Sequence, residues 1–476
     1  MIVRIGRVAF LLVCAGTAWA YPVGPALTLD KLTEEADLVF KGTAISSQPV
    51  VDDWFKPVQG FAVEETRFRI ISVIKGEKPG ATASFRHYNE DPQPTVRMFQ
   101  PQYYRFEIGR TYIVFAKRGE MPGTLRQIWM NHTMKEDQGA LLCANDKPAE
   151  ARTVKEIVWT ELMTMLASAE VEDVGYAIRQ LDEMSGPHGE FNAVSEFERT
   201  DVVAAVRSFM NHAEPKIAQA SIGVVGSHNP YMSDERAIHW LATVGSAETP
   251  GMGKMDAKMQ NTGGALYWKD LVALAESQAP NETRAAAILA LGLVREPSLV
   301  EPVQRWLADP SPAIRAAATV VLADFPGPET QKHLASLAGD KAAEVRVGVA
   351  RAIGFGQMAE LAGILAKLLS DGEFKVRQAA AMSVLSFSPK DEAIANVFRA
   401  NIENDEFEPL FLIALARERP EDYLEPLAEA VEQQTEPKDF WGGQLPAFTA
   451  WEILFKYLRA QPAGIVQSGK LDRYLD

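Results

Sequence analysis

The stretch that decides the fold is NETRAAAILALG at residues 281–292. Three later segments repeat it without a gap: PAIRAAATVVLA (312–323), AEVRVGVARAIG (343–354) and FKVRQAAAMSVL (374–385). Their arginines, Arg284, Arg315, Arg346 and Arg377, stand 31 residues apart, and Asp309, Asp340 and Asp371 each stand six residues before the last three of them. A fixed period in this range marks a solenoid, whose units are too small to bury their apolar faces alone and stack to do so. Each unit reads as two helices. The first carries apolar residues at helical spacing, Leu299, Val303 and Leu307 in one copy and Leu361, Ile364 and Leu368 in another. The second is alanine-rich, follows an Asp/Pro/Gly turn and ends near Gly292 or Gly354.

The polar positions that share this period are expected to be structural. Asp309 is placed to cap the helix after its turn, since a carboxylate accepts orphan backbone N–H groups there. Arg315, one to two turns on, is placed to reach an acidic side chain of its own or an adjoining repeat. The pattern resembles the HEAT repeat family, particularly the short form also found in bilin-lyase-like proteins. That resemblance implies a ladder in which Arg284, Asp309, Arg315, Asp340, Arg346, Asp371 and Arg377 tie unit to unit. It implies no pigment chemistry, because scaffold positions alone carry it. Tetratricopeptide and ankyrin repeats have nearby periods, but their signatures are absent.

Working outward, KIAQASIGVVGS (216–227) has the second-helix pattern, with Gly226 placed like Gly292, and EPLFLIALA (408–416) falls one step after Arg377. The expected solenoid therefore runs over 201–476. It contains an irregular insertion around 227–266 and a cap around 440–476, in which Trp451 and Phe455 share a helix face. Residues 149–200 read as a helical linker with the first helices.

Before the helices the period changes from helical to alternating. A short acidic helix, Leu29 to Glu35, precedes ADLVFKGTAI (36–45); VEETRFRIISVI (63–74), ATASFRHY (81–88), TYIVFAK (111–117) and Leu125 to Met134 follow as strands separated by turn residues. Strands without intervening helices imply a small antiparallel barrel over 21–148. The strings ADLVFKGT, VIKGEKPG and FEIGRTYIVFAK make residues 27–145 resemble exported bacterial domains with an OB-like barrel, similar in fold to the inhibitory domain of tissue inhibitors of metalloproteinases. Those inhibitors chelate zinc through an N-terminal cysteine, whereas the processed chain would begin with Tyr21, so the resemblance carries the fold without that mechanism. The whole chain is thus expected to be multidomain α+β: an OB-like barrel followed by an all-α, HEAT-like superhelical solenoid.

Residues 1–20 read as a signal peptide: Arg4 and Arg7, an apolar core from Val8 to Ala15, and Ala18-Trp19-Ala20 before the cut. The core is too short to span a bilayer, which needs about 20 apolar residues, so the expected destination is the periplasm or the exterior. Processing leaves Cys143 alone, which excludes an internal disulfide and suits a small buried hydrophobe. Charge is uneven. Residues 21–150 hold 17 acids and 16 bases (net −1), and residues 151–476 hold 46 and 30 (net −16). A pI near 5.1 argues against nucleic acid, whose phosphates need clustered Lys and Arg.

These features point to a non-catalytic, protein-binding scaffold without a cofactor, its partner carrying a basic surface that meets acidic runs such as Glu403-Asn404-Asp405-Glu406-Phe407-Glu408. Two other readings stand beside it. Met252, Met255 and Met259, with His228 and His239 upstream, would offer thioether and imidazole ligands to copper. An enzyme site between the two regions is the third, although no HExxH, GxSxG, P-loop or GxGxxG context occurs.

Overall fold

A computed structural model describes residues 28–57, 61–90, 103–128, 139–150, 153–185, 196–226, 229–233, 261–387 and 392–401, together with isolated positions between 237 and 426. The chain divides into two compact units, residues 1–224 and 225–476. Among the described residues no helix is long and apolar enough to cross a membrane.

The first unit opens with helix α1 (Leu29–Glu35), started by the Thr28 hydroxyl, which accepts the Lys31 N–H. Six strands follow: β1 (Leu38–Pro49), β2 (Phe61–Lys75), β3 (Thr82–Glu90), β4 (Thr111–Arg118), β5 (Thr124–Gln127) and β6 (Ala140–Leu142). They pair in the order β1-β2-β3-β5-β4-β6, and β1 also pairs with β4. The antiparallel expectation fails at one place: β3 and β5 are parallel. Parity requires it. The pairings β1-β2-β3-β5-β4-β1 form a ring of five, and an odd ring cannot alternate direction at every step. β6 lies in a stretch for which no strand was expected, and it is only three residues long.

Inside the ring lies an aromatic core of Phe40, Phe68, Phe85, Tyr104 and Tyr112, with Phe106 against it. Phe68 meets Phe106 edge-on at 5.0 Å, the geometry in which a ring's positive edge faces a negative face. His87 is wholly enclosed beside these rings. Its Nε2 is 2.8 Å from Thr66 Oγ1 and its Nδ1 3.1 Å from the Tyr88 carbonyl. Burial pushes its pKa down to about 4, so the neutral ring is the one the fold holds.

The first half of β1 is buried on both faces, unlike its exposed second half. Phe40 points into the core; Lys41, on the other face, is 0% exposed. What covers it is helix α2 (Val154–Leu166), begun by a capping box of Thr153 and Glu156. Lys41 Nζ donates to Glu161 Oε1 at 2.5 Å, and Glu161 Oε2 accepts the Ala144 N–H at 2.9 Å. Helix α3 (Val171–Glu183) adds Asp173, which accepts from Arg110 at 2.5 Å, and Tyr176, whose hydroxyl accepts the Leu142 N–H. Cys143 is buried beside this pair, and burial raises its thiol pKa far above the usual range. Helices α4 (Arg199–Val206) and α5 (Pro215–Val225) follow among the described residues.

The described residues of the second unit form helices in repeated pairs. Helix α6 (Thr262–Ala275) precedes the second helices α7 (Asn281–Ala290), α9 (Pro312–Val321), α11 (Ala343–Phe355) and α13 (Phe374–Leu385), which are interleaved with the first helices α8 (Val300–Trp306), α10 (Pro328–Leu337) and α12 (Ala362–Leu368); α14 (Glu392–Asn401) follows. Alanines such as Ala287, Ala318, Ala350 and Ala380 are fully buried, letting successive second helices approach closely. Among first-helix positions, Leu299, Val303, Leu307 and Leu368 are buried as the spacing predicts, whereas Leu361 and Ile364 are half-buried and Leu365 takes the core position.

The buried ion pair generates a prediction. Removing one partner strands the other charge in the interior, so Glu161→Gln or Lys41→Met is expected to cost about 3–5 kcal/mol. The double change Lys41→Met with Glu161→Leu should cost much less than the two singles together. Urea unfolding of the four proteins measures this, and additive losses would show that the pair is not coupled.

Candidate functional site

The 31-residue period places its polar side chains along one end of the second helices. Arg315 Nε and Nη2 donate to the two carboxylate oxygens of Asp340, both at 3.0 Å. Arg346 does the same to Asp371 at 2.7 and 2.8 Å. The third nitrogen of each arginine turns back: Nη1 of Arg315, Arg346 and Arg377 donates to the carbonyl of Asp309, Asp340 and Asp371 at 2.9, 2.9 and 3.0 Å. Arg315 and Arg346 thus join the turn before their own helix to the turn of the next repeat, 25 residues on. Arg284 departs from the pattern. It reaches Asp309 with Nη2 alone, at 3.3 Å, because its Nε donates to the Ala275 carbonyl.

The aspartates do not cap the helices as their position in the turn suggested. Ser311, Ala342 and Glu373 are the N-cap residues. Asp309, Asp340 and Asp371 stand two residues earlier, and their Oδ1 atoms accept the N–H of those residues at 2.8, 2.9 and 3.0 Å. This turn fixes each carboxylate with its free side toward the arriving arginine. The hydrogen bonds from Arg346 hold the Asp371 carboxyl below the usual carboxylate range. Burial works against ionisation of Asp340, but Arg315 and the Ala342 N–H outweigh it, and that pKa is lowered too.

A second set of contacts ties the opposite ends of the same helices, and sequence reasoning missed it. Asn261 Nδ2 donates to the carbonyls of Ala290 and Gly292 at 2.6 and 2.8 Å, while its Oδ1 accepts the Gly264 N–H at 2.7 Å. Asn229 Nδ2 donates to Leu289 and Gly292 at 2.7 and 3.1 Å. The last carbonyls of α7, which lack intrahelical donors, are thereby satisfied by two amides. The Leu293 N–H donates to Asp324 at 2.6 Å and Tyr231 donates its hydroxyl to Asp324 at 2.9 Å. The Tyr231 ring stacks on Phe355 with centroids 4.6 Å apart. The signal was there: Asn261 and Gly292, and Leu293 and Asp324, are each 31 residues apart.

Gly292 is where this packing is tightest. A Cβ there would lie 2.0 Å from Tyr231 Cδ2 and 2.7 Å from Asn229 Nδ2, and a Cβ on Gly226 would lie 2.9 Å from Ala290. The metal candidates Met252, Met255, Met259, His228 and His239 lie outside the described residues, as do Glu403 to Glu408, Trp451 and Phe455.

Comparison with known proteins agrees with this geometry in one stretch. The family of HEAT repeats matches residues 269–354, and the chain therefore carries HEAT-like helical repeats. Similar solved structures include YibA of Escherichia coli, 14% identical, covering 63% of this chain and 94% of its own, with a TM-score of 0.33. An engineered protein is 18% identical over 47% of this chain and 96% of its own, with a TM-score of 0.28. A designed armadillo repeat protein is 15% identical over 62% of this chain and 98% of its own, with a TM-score of 0.23. None reaches a TM-score of 0.5, so the repeat type rests on residues 269–354. No curated protein matches the chain by sequence.

Two predictions follow from the two ends. Arg346→Ala is expected to cost about 1–3 kcal/mol at neutral pH by removing the two-pronged bond to Asp371, which retains the Glu373 N–H, and by taking a donor from the Asp340 carbonyl, whereas Arg179→Ala, exposed on α3, should cost far less. Because the Asp371 pKa is lowered in the fold, the contribution is present above the usual carboxylate value and is lost as pH falls below about 4. Unfolding curves at pH 7 and pH 3 should therefore show the Arg346→Ala gap closing in acid. At the other end, Gly292→Ala is expected to cost about 1–3 kcal/mol by overpacking. Gly363→Ala, which meets nothing within 4 Å, should stabilise helix α12 by about 0.5–1 kcal/mol. Equal effects of the two glycine changes would remove the close-approach argument.

Proposed function

We propose that this protein is an exported, non-catalytic scaffold that binds another protein through its helical repeats. The observation that carries the reading is the ladder within a HEAT-like array: it spends its charged side chains on joining repeats, and what such an array offers outward is a long surface. The net charge of −16 on residues 151–476 supports a partner with a basic surface, since a periodic array turns acidic positions into a stripe whose field steers oppositely charged proteins. The run Asp405-Glu406-Phe407-Glu408 and nearby Asp422 give the late array its share of that charge. Export is supported by the signal-peptide pattern of residues 1–20, with the first residue after cleavage at Tyr21.

For the first unit we propose an OB-like barrel. The five-membered ring of strand pairings, with β3 and β5 the one parallel pair, supports it, as does the core enclosed by those strands.

The test combines fractionation with kinetics. N-terminal sequencing of protein from the cell envelope should begin at Tyr21. A partner captured from that fraction should associate more slowly as salt rises from about 50 to 500 mM, because the screening length falls from about 14 to 4 Å. Reversing Asp405, Glu406 and Glu408 to lysine should slow association without lowering the melting temperature. An association rate indifferent to salt and to the reversals would overturn the electrostatic docking, and a chain that stays in the cytoplasm would overturn export.

A further inference from the structure

Asp324 is a buried carboxylate at the junction of two repeats to which, among the described residues, no arginine donates a hydrogen bond. It ends the short 3-10 turn Leu322–Asp324 after α9, and its side chain is 1% exposed. Oδ2 accepts the Leu293 N–H from the preceding repeat, and Oδ1 accepts the Tyr231 hydroxyl. The nearest cation, Arg295, stays 3.9 Å away with a side chain that is 63% exposed, too distant to donate a hydrogen bond. Leu293 and Arg295 both take left-handed backbone angles, φ 64° and 55°, so this loop is bent to bring the Leu293 amide to the carboxylate. From α11 the side chain that meets Tyr231 is Phe355, which is uncharged. Among the described residues, Tyr231 and Arg295 are therefore the titratable and charged groups that face Asp324.

We propose that Asp324 is a proton-operated joint between the repeat that ends at Gly292 and the repeat that follows it, strained while the carboxylate is ionised and tightened by one proton. Leu293 and Tyr231 donate to the carboxylate and Arg295 only stands near it, so the ionised form keeps two hydrogen bonds but lies in an interior that solvates it poorly. On protonation the new hydrogen is placed on Oδ1 and donated to the Tyr231 oxygen, whose own hydrogen rotates away, while Leu293 continues to donate to Oδ2. The attraction on Arg295 is lost at the same step, and that side chain is freed toward solvent.

Burial pushes the Asp324 pKa up to about 6, against the opposing Leu293 amide, Tyr231 hydroxyl and Arg295. A carboxyl whose folded value is raised favours the fold when protonated, so this contribution is present in mild acid and is lost as pH rises through about 6. The Arg–Asp ladder behaves oppositely, and only below the usual carboxylate range.

Hydrogen exchange on the full chain reads this out locally. After correction for intrinsic rates, amides of residues 289–296 should gain up to about 30-fold in protection between pH 7.5 and pH 4.5, the factor equivalent to the ~1.5 pH units between a pKa of about 6 and pH 4.5. Amides of residues 374–377, beside Asp371, should stay level across that window. Asp324→Asn, neutral at every pH, should show the high protection throughout. Wild-type protection at 289–296 that does not change with pH, or a variant that changes as the wild type does, overturns the proposal. If the variant does not fold, the wild-type comparison of the two segments decides, since parallel behaviour of both would equally exclude a joint at Asp324.

Discussion

Everything in the repeat array depends on one guanidinium shared between two turns. An arginine donates in one direction to a carbonyl of its own turn and in the other to the carboxylate of the next. Its planar fork is rigid enough to fix both distances at once. A lysine could neutralise the aspartate but could not bridge with the same angle. Because Asp340 and Asp371 are themselves held by the N–H two residues on, the acceptor is as immobile as the donor. The spacing between repeats is then set by covalent geometry at both ends, and the alanine-rich helices between them have only to be small enough to fit.

The first unit solves a different problem with the same chemistry. Its sheet is covered by α2 and α3, and the covering leaves Lys41 in the dry space between strand and helix. A lone ammonium there would be costly to desolvate; Glu161 offsets that cost and in turn satisfies the Ala144 amide. The sheet and the helices after it thus belong to one compact unit up to residue 224, although their sequences have different periods. His87 adds a neutral polar group held inside the aromatic core, satisfied by Thr66 and the Tyr88 carbonyl.

Much of this was legible in the order of residues, and for a physical reason. Arg284, Arg315, Arg346 and Arg377 repeat because each repeat must present the same donor to the same acceptor, so an energetic requirement became a count of 31. The strands of the first unit were legible where alternation is strong, as in β2, and not in β6, where three residues give no period to read. The parallel pairing of β3 with β5 followed from ring parity, which no local pattern encodes. Asn229, Tyr231 and Asp324 escaped because each occurs once. Asn229 and Tyr231 belong to a divergent stretch, and Asp324 replaces an apolar residue at a register where its counterparts are Leu293 and Phe355. The copper-ligand candidates and the late acidic run belong to stretches whose placement the described residues do not include.

The shared guanidinium also gives the array a direction. Arg315 and Arg346 give their two-pronged bonds forward along the chain, and each aspartate keeps its own turn amide whether or not that bond arrives. Shortening the array from its beginning leaves an aspartate still engaged by its turn and open to water. Shortening it from its end leaves an arginine whose fork points at nothing. The two ends are chemically unlike, so growth by adding repeats, in evolution or by engineering, is easier at the leading end, while the trailing end calls for a unit built to receive the last arginine.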